Sequence, residues 1–191
     1  RGENAVIGYS FCGSFCTFER SIAVLKKLAL EGKEILPIMS FNAAGTDTRF
    51  GSADGFREKI EDICQRKAIT TIEEAEPLGP RVPLEALIIS PCTGNTLAKM
   101  AGGITDTPVT MAAKAHLRCE RPVLVALASN DALSANLCNI AALLNKKNIY
   151  FVPLCQDDPM KKPFSLVAQF EMIPEALEAA LDGRQLRPLF L

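Results

Sequence analysis

A short apolar run, Ala-Leu-Ile-Ile at 86–89, leads into a polar turn at 90–96 and then into a helical stretch that begins at Leu97. An apolar run of this kind, with no polar alternation, is typical of a strand buried on both faces of a parallel sheet. Pro91 has no N–H to donate, so we expect the strand to end there. Ligands of open α/β sheets bind beyond the carboxyl ends of the strands, often at a helix N-terminus. The turn is therefore a candidate binding site, and the alternative is an ordinary connecting loop.

The rest of the chain alternates strand and helix patterns, which predicts a doubly wound α/β fold in one domain spanning 1–191. Strands are predicted at 5–9, 34–39, 86–89, 122–128 and 148–152. Helices are predicted to end at Gly32 and to span 54–66, 97–101, 108–119, 134–146 and 173–181, with one short turn at 73–76. Pro37 suggests an edge position or a strand end for the second strand. The segment 40–55 is predicted to be a long loop, and 156–163 a polar loop.

Composition excludes several classes of protein. The chain has 191 residues with 21 basic and 22 acidic side chains, and no basic stripe that would favour nucleic acid as the main partner. No apolar run reaches the ~18 residues that a membrane span needs. The seven cysteines include no CxxC pair and no spacing typical of a metal site. We therefore expect reduced, mostly buried thiols and no bound metal.

Small polar side chains follow four of the predicted strands, where parallel strands bring their carboxyl ends to one edge of the sheet. These clusters are Gly13-Ser14, Ser40, the segment Cys92-Thr93-Gly94-Asn95-Thr96, and Ser129-Asn130-Asp131. Hydroxyl groups and helix N-termini brought together in this way suit a phosphate group. Neither GxGxxG nor GxxxxGK(S/T) occurs in the chain. A mononucleotide-type cofactor is therefore favoured over a dinucleotide.

The segment Pro-Cys-Thr-Gly-Asn-Thr-Leu-Ala-Lys at 91–99, continued by Gly-Ile-Thr-Asp at 103–106, resembles the PASANT-type segment of the flavoprotein family. That family includes flavin-dependent cysteine decarboxylases and flavin prenyltransferases. Gly13-Ser14 and Ser40 are similar to its first and second phosphate loops. The resemblance covers nearly the whole chain and is strongest to a branch that serves dipicolinate biosynthesis in spore-forming bacteria. It extends through 46–51, 74–80, 111–114, 129–133 and 146–153.

The resemblance implies a flavodoxin-like fold, three layers deep, with an FMN site at a subunit interface of a homo-oligomer built on trimers. It implies oxidation of a dihydropyridine dicarboxylate to dipicolinate, together with a nicotinamide-binding partner subunit, in the cytoplasm of the mother cell during sporulation. No nucleic-acid or membrane partner is implied. The residues that we expect to bind FMN are Gly13, Ser14, Ser40, Cys92, Thr93, Asn95, Thr96, Ser129 and Asn130.

One departure from the family concerns catalysis. The decarboxylases carry a catalytic histidine after the second strand, whereas the only histidine here is His116, on a predicted helix. This counts against decarboxylase chemistry, although an independent decarboxylase, a prenyltransferase-like enzyme and a non-catalytic scaffold all remain alternatives. No catalytic residue is assigned.

Several other residues have two interpretations each. Arg49 is the candidate for binding a substrate carboxylate, because arginine can present two parallel donors, and the alternative is a solvated loop charge. Cys92 either faces the flavin or is a packed thiol. Lys114, Arg118 and Arg121 are spaced for a helix surface or an interface.

Overall fold

The computed structural model describes residues 5–191 and contains a seven-stranded mixed sheet with helices on both faces. The strands are β1 (Val6–Phe11), β2 (Glu34–Met39), β3 (Ala86–Cys92), β4 (Val123–Ser129), β5 (Ile149–Phe151), β6 (Leu154–Cys155) and β7 (Leu166–Ala168). The α-helices are α1 (Phe18–Leu30), α2 (Phe41–Gly45), α3 (Ala53–Cys64), α4 (Ile72–Ala75), α5 (Gly94–Gly102), α6 (Pro108–Leu117), α7 (Leu137–Leu144) and α8 (Ile173–Leu181). Two 3₁₀ turns, Phe15–Thr17 and Phe170–Met172, precede α1 and α8.

The strand order is β2-β1-β3-β4-β7-β6, with β5 pairing β4 beside this path. The pairings among β1, β2, β3, β4 and β5 are parallel, whereas those of β7 with β4 and β6 are antiparallel. β2 lies at the edge of the strand order, so the missing N–H of Pro37 breaks no hydrogen bond to a further strand. The predicted flavodoxin-like α/β fold is confirmed, and its five predicted strands are all present.

The helices form two layers, as the doubly wound pattern predicts. α1 contacts α3, α8 and β3 on one side, while α5 contacts α6, α7 and β4 on the other. β3 is buried along its whole length, in agreement with its uninterrupted apolar sequence. No helix among residues 5–191 is long and apolar enough to cross a membrane.

Four aromatic rings pack together where β1 meets α1 and α3. Phe18 lies at the centre, with its ring centroid 5.5 Å from that of Phe11, 5.0 Å from that of Phe15 and 4.9 Å from that of Phe56. Offset and edge-to-face ring contacts at these distances are favourable beyond the apolar area that they bury. The cluster fixes the chain on both sides of the Gly13-Ser14 loop.

The predicted end of β3 at Pro91 is wrong, because the strand continues to Cys92. The pairing with β4 shifts register between Ile89 and Cys92, so the strand passes Pro91 without needing an N–H there. The carbonyl oxygen of Pro91 accepts a hydrogen bond of 3.1 Å from the N–H of Cys12. This bond ties the ends of β1 and β3 together at the candidate site.

Helix α5 begins at Gly94 and not at the predicted Leu97, because Thr93 caps it directly. The predicted long loop 40–55 contains α2 and the start of α3, which the Ser40 and Ser52 side chains cap. Serine is a frequent N-cap, so a composition typical of a loop is equally compatible with two helix starts. The predicted helix 134–146 is shorter, because 131–136 forms turns before α7 begins. Strands β6 and β7 have no counterpart among the predicted strands.

Candidate functional site

A cavity of about 750 Å³ opens at the carboxyl ends of β1, β3 and β4. This is the edge of the sheet at which the sequence predicts a site. The lining residues are Gly13, Ser14, Cys16, Thr17, Arg20, Thr93, Gly94, Asn95, Ala128, Ser129, Asn130, Asp131, Asp157, Lys162, Ser165 and Val167. Three of the four predicted polar clusters therefore meet in one cavity.

The N-terminus of α5 forms one wall of this cavity. The hydroxyl oxygen of Thr93 accepts a 3.1 Å hydrogen bond from the N–H of Thr96, which makes Thr93 the N-cap. The N–H groups of Gly94 and Asn95 belong to the first turn of α5, where backbone N–H groups have no carbonyl acceptor within the helix. The positive end of the helix dipole lies at the same place. This wall therefore suits a negatively charged or oxygen-rich group.

Gly94 lies against a polar cluster that follows β4. The Asp131 carboxylate accepts hydrogen bonds from the Ser129 hydroxyl and, at 3.0 Å, from the Asn136 side-chain amide. The bond from Ser129, with that from Asn136, holds the pKa of Asp131 below its usual value. A Cβ added to Gly94 would lie 2.5 Å from the Ser129 hydroxyl oxygen and 2.6 Å from the Asn136 amide nitrogen. Glycine at this position therefore lets the N-terminus of α5 lie directly against the segment that follows β4.

The Gly13-Ser14 loop forms the adjacent wall. The carbonyl oxygen of Ser14 accepts a hydrogen bond of 2.8 Å from the Thr17 hydroxyl and one of 3.1 Å from the Thr17 N–H. These bonds lock the turn that leads from β1 into α1. Ser14 and Thr17 are thereby held at the cavity surface, next to the α5 wall.

Four predicted site residues lie outside the lining: Ser40, Cys92, Thr96 and Arg49. Ser40 caps α2 by accepting a hydrogen bond of 3.2 Å from the Ala43 N–H. Thr96 is buried and donates its hydroxyl to the Cys12 sulfur at 3.3 Å. Their contact with a cofactor stays a prediction.

Cys92 and Arg49 have contrasting surroundings. Cys92 is fully buried, and burial raises the pKa of its thiol well above the usual value. This is the environment of a packed, unreactive thiol. Arg49 is exposed, with its guanidinium carbon 4.9 Å from the centroid of the Phe50 ring. A substrate contact by Arg49 stays a prediction.

The polar residues of the cavity that sequence reasoning misses come from the 3₁₀ turn and first turn of α1, and from the segment 157–165. Lys162 donates to Asp157 at 2.8 Å, and this bond holds the pKa of the Asp157 carboxyl below its usual value. Arg20 lies one turn after Cys16 and Thr17, which are also in the lining. The 156–163 loop is recognisable as polar, but nothing in the local sequence places it, or Arg20, beside the α5 N-terminus.

His116 and the basic residues near it lie outside this cavity. The His116 ring is fully buried, its Nε2–H donates to the Pro122 carbonyl oxygen at 3.0 Å, and its Nδ1 has no partner within residues 5–191. Burial lowers its pKa to about 4. Arg121 donates to the Leu84 carbonyl oxygen at 2.5 Å, while Lys114 and Arg118 lie on or next to α6. A structural role suits His116.

All seven cysteines are free thiols. The expectation that most of them are buried is wrong, because only Cys12 and Cys92 are buried and Cys16 and Cys138 are exposed. No group of three or more histidine, cysteine, aspartate or glutamate side chains within residues 5–191 is placed to hold a metal ion.

The chain is similar to known proteins over nearly its whole length. A subunit of dipicolinate synthase from Bacillus subtilis (strain 168) is 45% identical over 185 residues, which span 97% of this chain and 92% of the relative. The crystal structure of a dipicolinate synthase subunit from Bacillus halodurans has a TM-score of 0.90 and 41% identity, and the match covers 98% of this chain and 96% of that chain.

A more distant structure has the same fold. The FMN-dependent cysteine decarboxylase SpaF has a TM-score of 0.66 and 23% identity, with 93% of this chain and 95% of that chain covered. The family model described as "Flavoprotein" matches residues 3–173. The geometry at the strand ends, the fold and these similarities agree, and the chain belongs to the flavoprotein family.

Proposed function

We propose that this chain is the FMN-binding subunit of an enzyme that oxidises a dihydropyridine dicarboxylate to dipicolinate. The observation that carries the proposal is the convergence of the Gly13-Ser14 loop, the α5 N-terminus and the Ser129–Asp131 loop on one cavity. The 45% identity with the dipicolinate synthase subunit of Bacillus subtilis supports the reaction and a partner subunit, which we infer to be a nicotinamide-binding chain.

The residues of the cavity fit FMN in size and in chemistry. A volume of about 750 Å³ lies within the roughly 300–1,000 Å³ range of small-molecule and cofactor sites. The α5 N-terminus, Thr93, Asn95 and Ser14 supply N–H, hydroxyl and amide groups, which are the donors that a phosphate and a ribityl chain require. Arg20 and Lys162 balance Asp131 and Asp157 in charge. The phosphate would therefore be held mainly by neutral donors and the helix dipole.

The reaction needs little chemistry from side chains. A dihydropyridine loses a hydride and a proton to become aromatic, and aromatisation drives the step. FMN, when bound, supplies a hydride acceptor, and a nicotinamide on the partner subunit is the alternative acceptor. The chain's own part is to orient the substrate ring and its carboxylates and to exclude water from the cavity.

We further propose a homo-oligomer built on trimers, with Asn95 and the Ser129–Asp131 loop near the interface. Exposed apolar side chains in the segments around this loop support it: Met160 is 91% exposed, Phe164 53% and Leu137 46%. The carbonyl oxygen of Phe164 accepts a hydrogen bond of 2.9 Å from the Leu133 N–H, which keeps Phe164 next to the 131–136 turns. Sedimentation of a monomer at micromolar concentration would contradict this assembly. The proposed location is the cytoplasm of the mother cell.

The decisive experiment is an FMN titration of the assembled protein, followed by activity with the partner subunit. We expect stoichiometric FMN binding, a flavin absorbance spectrum, and oxidation of the dihydropyridine only when both subunits are present. Loss of flavin absorbance on adding substrate without oxygen identifies FMN as the hydride acceptor. A protein that binds no FMN yet supports its partner's activity is a non-catalytic scaffold. Decarboxylation or prenyl transfer by the chain alone would make it an independent flavoenzyme.

A further inference from the structure

We propose that Arg20 binds a carboxylate of the substrate through the edge of its guanidinium that Glu171 does not use. This inference rests on the proposed function, since it assigns a carboxylate site within the same cavity. Four charged residues line that cavity, namely Arg20, Lys162, Asp131 and Asp157. A dicarboxylate buried there without a cationic partner would be costly, so one of the two cations is expected to meet it.

Two contacts orient the Arg20 guanidinium. Its Nε and Nη2 donate to the two carboxylate oxygens of Glu171 at 3.2 and 2.9 Å. Its guanidinium carbon lies 5.0 Å from the centroid of the Phe170 ring. The bidentate pair and the ring contact together favour this orientation of the guanidinium, at a surface where the Arg20 and Glu171 side chains are 42% and 66% exposed.

This arrangement leaves one edge of the guanidinium available. Arginine has five N–H donors, and Glu171 engages one on Nε and one on Nη2. The other three, two on Nη1 and one on Nη2, find no hydrogen-bond acceptor among residues 5–191. The Nη1–Nη2 edge can therefore take a second carboxylate with two parallel bonds, and the Glu171 pair stays intact.

Lys162 is less suited to this role. Its ammonium group donates to Asp157 at 2.8 Å, and Asp157 is itself part of the cavity lining. A ligand carboxylate at Lys162 would have to displace or approach that aspartate, which repels it. Arg49, the residue that the sequence favours, lies outside the lining. Among these three cations, Arg20 alone combines a place in the cavity with unused paired donors.

The test measures binding of pyridine-2,6-dicarboxylate and pyridine-2-carboxylate to the FMN-loaded assembled protein by calorimetry. Arg20→Met is expected to weaken dicarboxylate binding by about 10- to 100-fold and to shrink the preference for the dicarboxylate over the monocarboxylate. Arg20→Lys keeps the positive charge but lacks the two parallel donors of the guanidinium, so it should restore only part of the affinity. FMN affinity, measured separately on the apoprotein, should stay within about twofold.

Arg66→Met is the matched control. The Arg66 side chain is 41% exposed against 42% for Arg20, it pairs with Glu34 at 2.7 Å, and it lies outside the cavity. It should leave both affinities unchanged. Arg49→Ala belongs in the same series, because it removes the cation that the sequence favours.

Several results would overturn the assignment of Arg20. Equal dicarboxylate affinity in wild type and Arg20→Met, a loss only in Arg49→Ala, or a loss of FMN affinity alone would each do so, the last because it makes Arg20 a phosphate ligand. A wild-type protein that binds FMN but neither pyridine acid also contradicts this inference and leaves the substrate to the partner chain. Failure of the proposed function shows differently, as a wild-type protein without FMN or a two-subunit enzyme without activity.

Discussion

Replacing Gly94 by alanine tests whether the close fit between the α5 N-terminus and the loop after β4 builds the site. The new methyl group would lie 2.5 Å from the Ser129 hydroxyl oxygen, 2.6 Å from the Asn136 amide nitrogen and 2.8 Å from an Asp131 carboxylate oxygen. Real Cβ atoms do not approach other atoms so closely, so either the two segments separate or the Ser129, Asn136 and Asp131 side chains leave their present positions. Either movement disturbs the hydrogen bonds that the Asp131 carboxylate accepts from Ser129 and Asn136.

The expected cost follows from two opposing terms. Alanine in place of glycine gains at most about 0.5–1 kcal/mol in a helix interior, and less at the first helical position, where Gly94 stands. Overpacking of a tightly fitted site costs typically about 1–3 kcal/mol. Overpacking therefore dominates, and for a chain of this size Tm should fall by about 2 to 12 °C. FMN affinity should fall as well, because either movement alters the wall of the cavity that faces the proposed phosphate.

Gly102→Ala is the matched control in the same helix. Its added Cβ would meet only Ile104 carbon atoms at 3.9 Å, which is an ordinary contact. Thermal unfolding and FMN titration of both variants separate the effect of position from that of residue type. We expect Gly102→Ala to be neutral or slightly stabilising with unchanged FMN binding. If Gly94→Ala matched wild type in both measurements, the reasoning from this contact would be refuted.

Two further predictions concern the cap of α5 and the buried histidine. Thr93→Ala removes the acceptor for the Thr96 N–H and should cost about 1 kcal/mol in urea unfolding, while Thr93→Ser should retain most of the stability; equal losses in both variants would argue against capping. The pKa of His116 is about 4 in the folded protein, below its unfolded value of about 6.5, so the unfolded state binds the extra proton first as pH falls. Stability should therefore be lost between about pH 6.5 and 4, by about 3 kcal/mol in total, in excess of the loss in His116→Gln. Parallel pH profiles of the two proteins would contradict this.

The main sheet is predictable because each of its central strands is a largely apolar segment of the sequence. β1, β3 and β4 are buried along almost their entire length, so each appears in the sequence as an apolar run that no exposed face interrupts. Alternation with helix patterns then indicates a parallel sheet, and the position of the carboxyl ends of its strands follows. For this reason the sequence alone brings Gly13-Ser14, Thr93, Asn95 and Ser129-Asn130 to one edge.

Strands β6 and β7 cannot be predicted from periodicity, since they have two and three residues. They depend on pairing with β4 and with each other, which is a property of the folded sheet. Their position carries Ser165 and Val167 into the cavity and sets the 156–163 loop beside it. The wall of the site that these strands and the adjoining loop form therefore cannot be predicted from the local sequence.

The dependence of the site on contacts between distant segments also explains why the sequence favours Arg49 over Arg20. Arg49 stands among glycine and threonine residues in a segment typical of a binding loop, whereas Arg20 is one of several charges on an amphipathic helix. What distinguishes Arg20 is its bidentate pair with Glu171, which lies 151 residues away in the chain. Local pattern identifies which side chains have suitable chemistry, but only the packing of α1 against the Phe170–Met172 turn shows that Arg20 is paired with Glu171 beside the cavity. Because that turn holds Arg20 by one edge only, the contact that restrains the side chain also leaves its second pair of donors unused, as a carboxylate site requires.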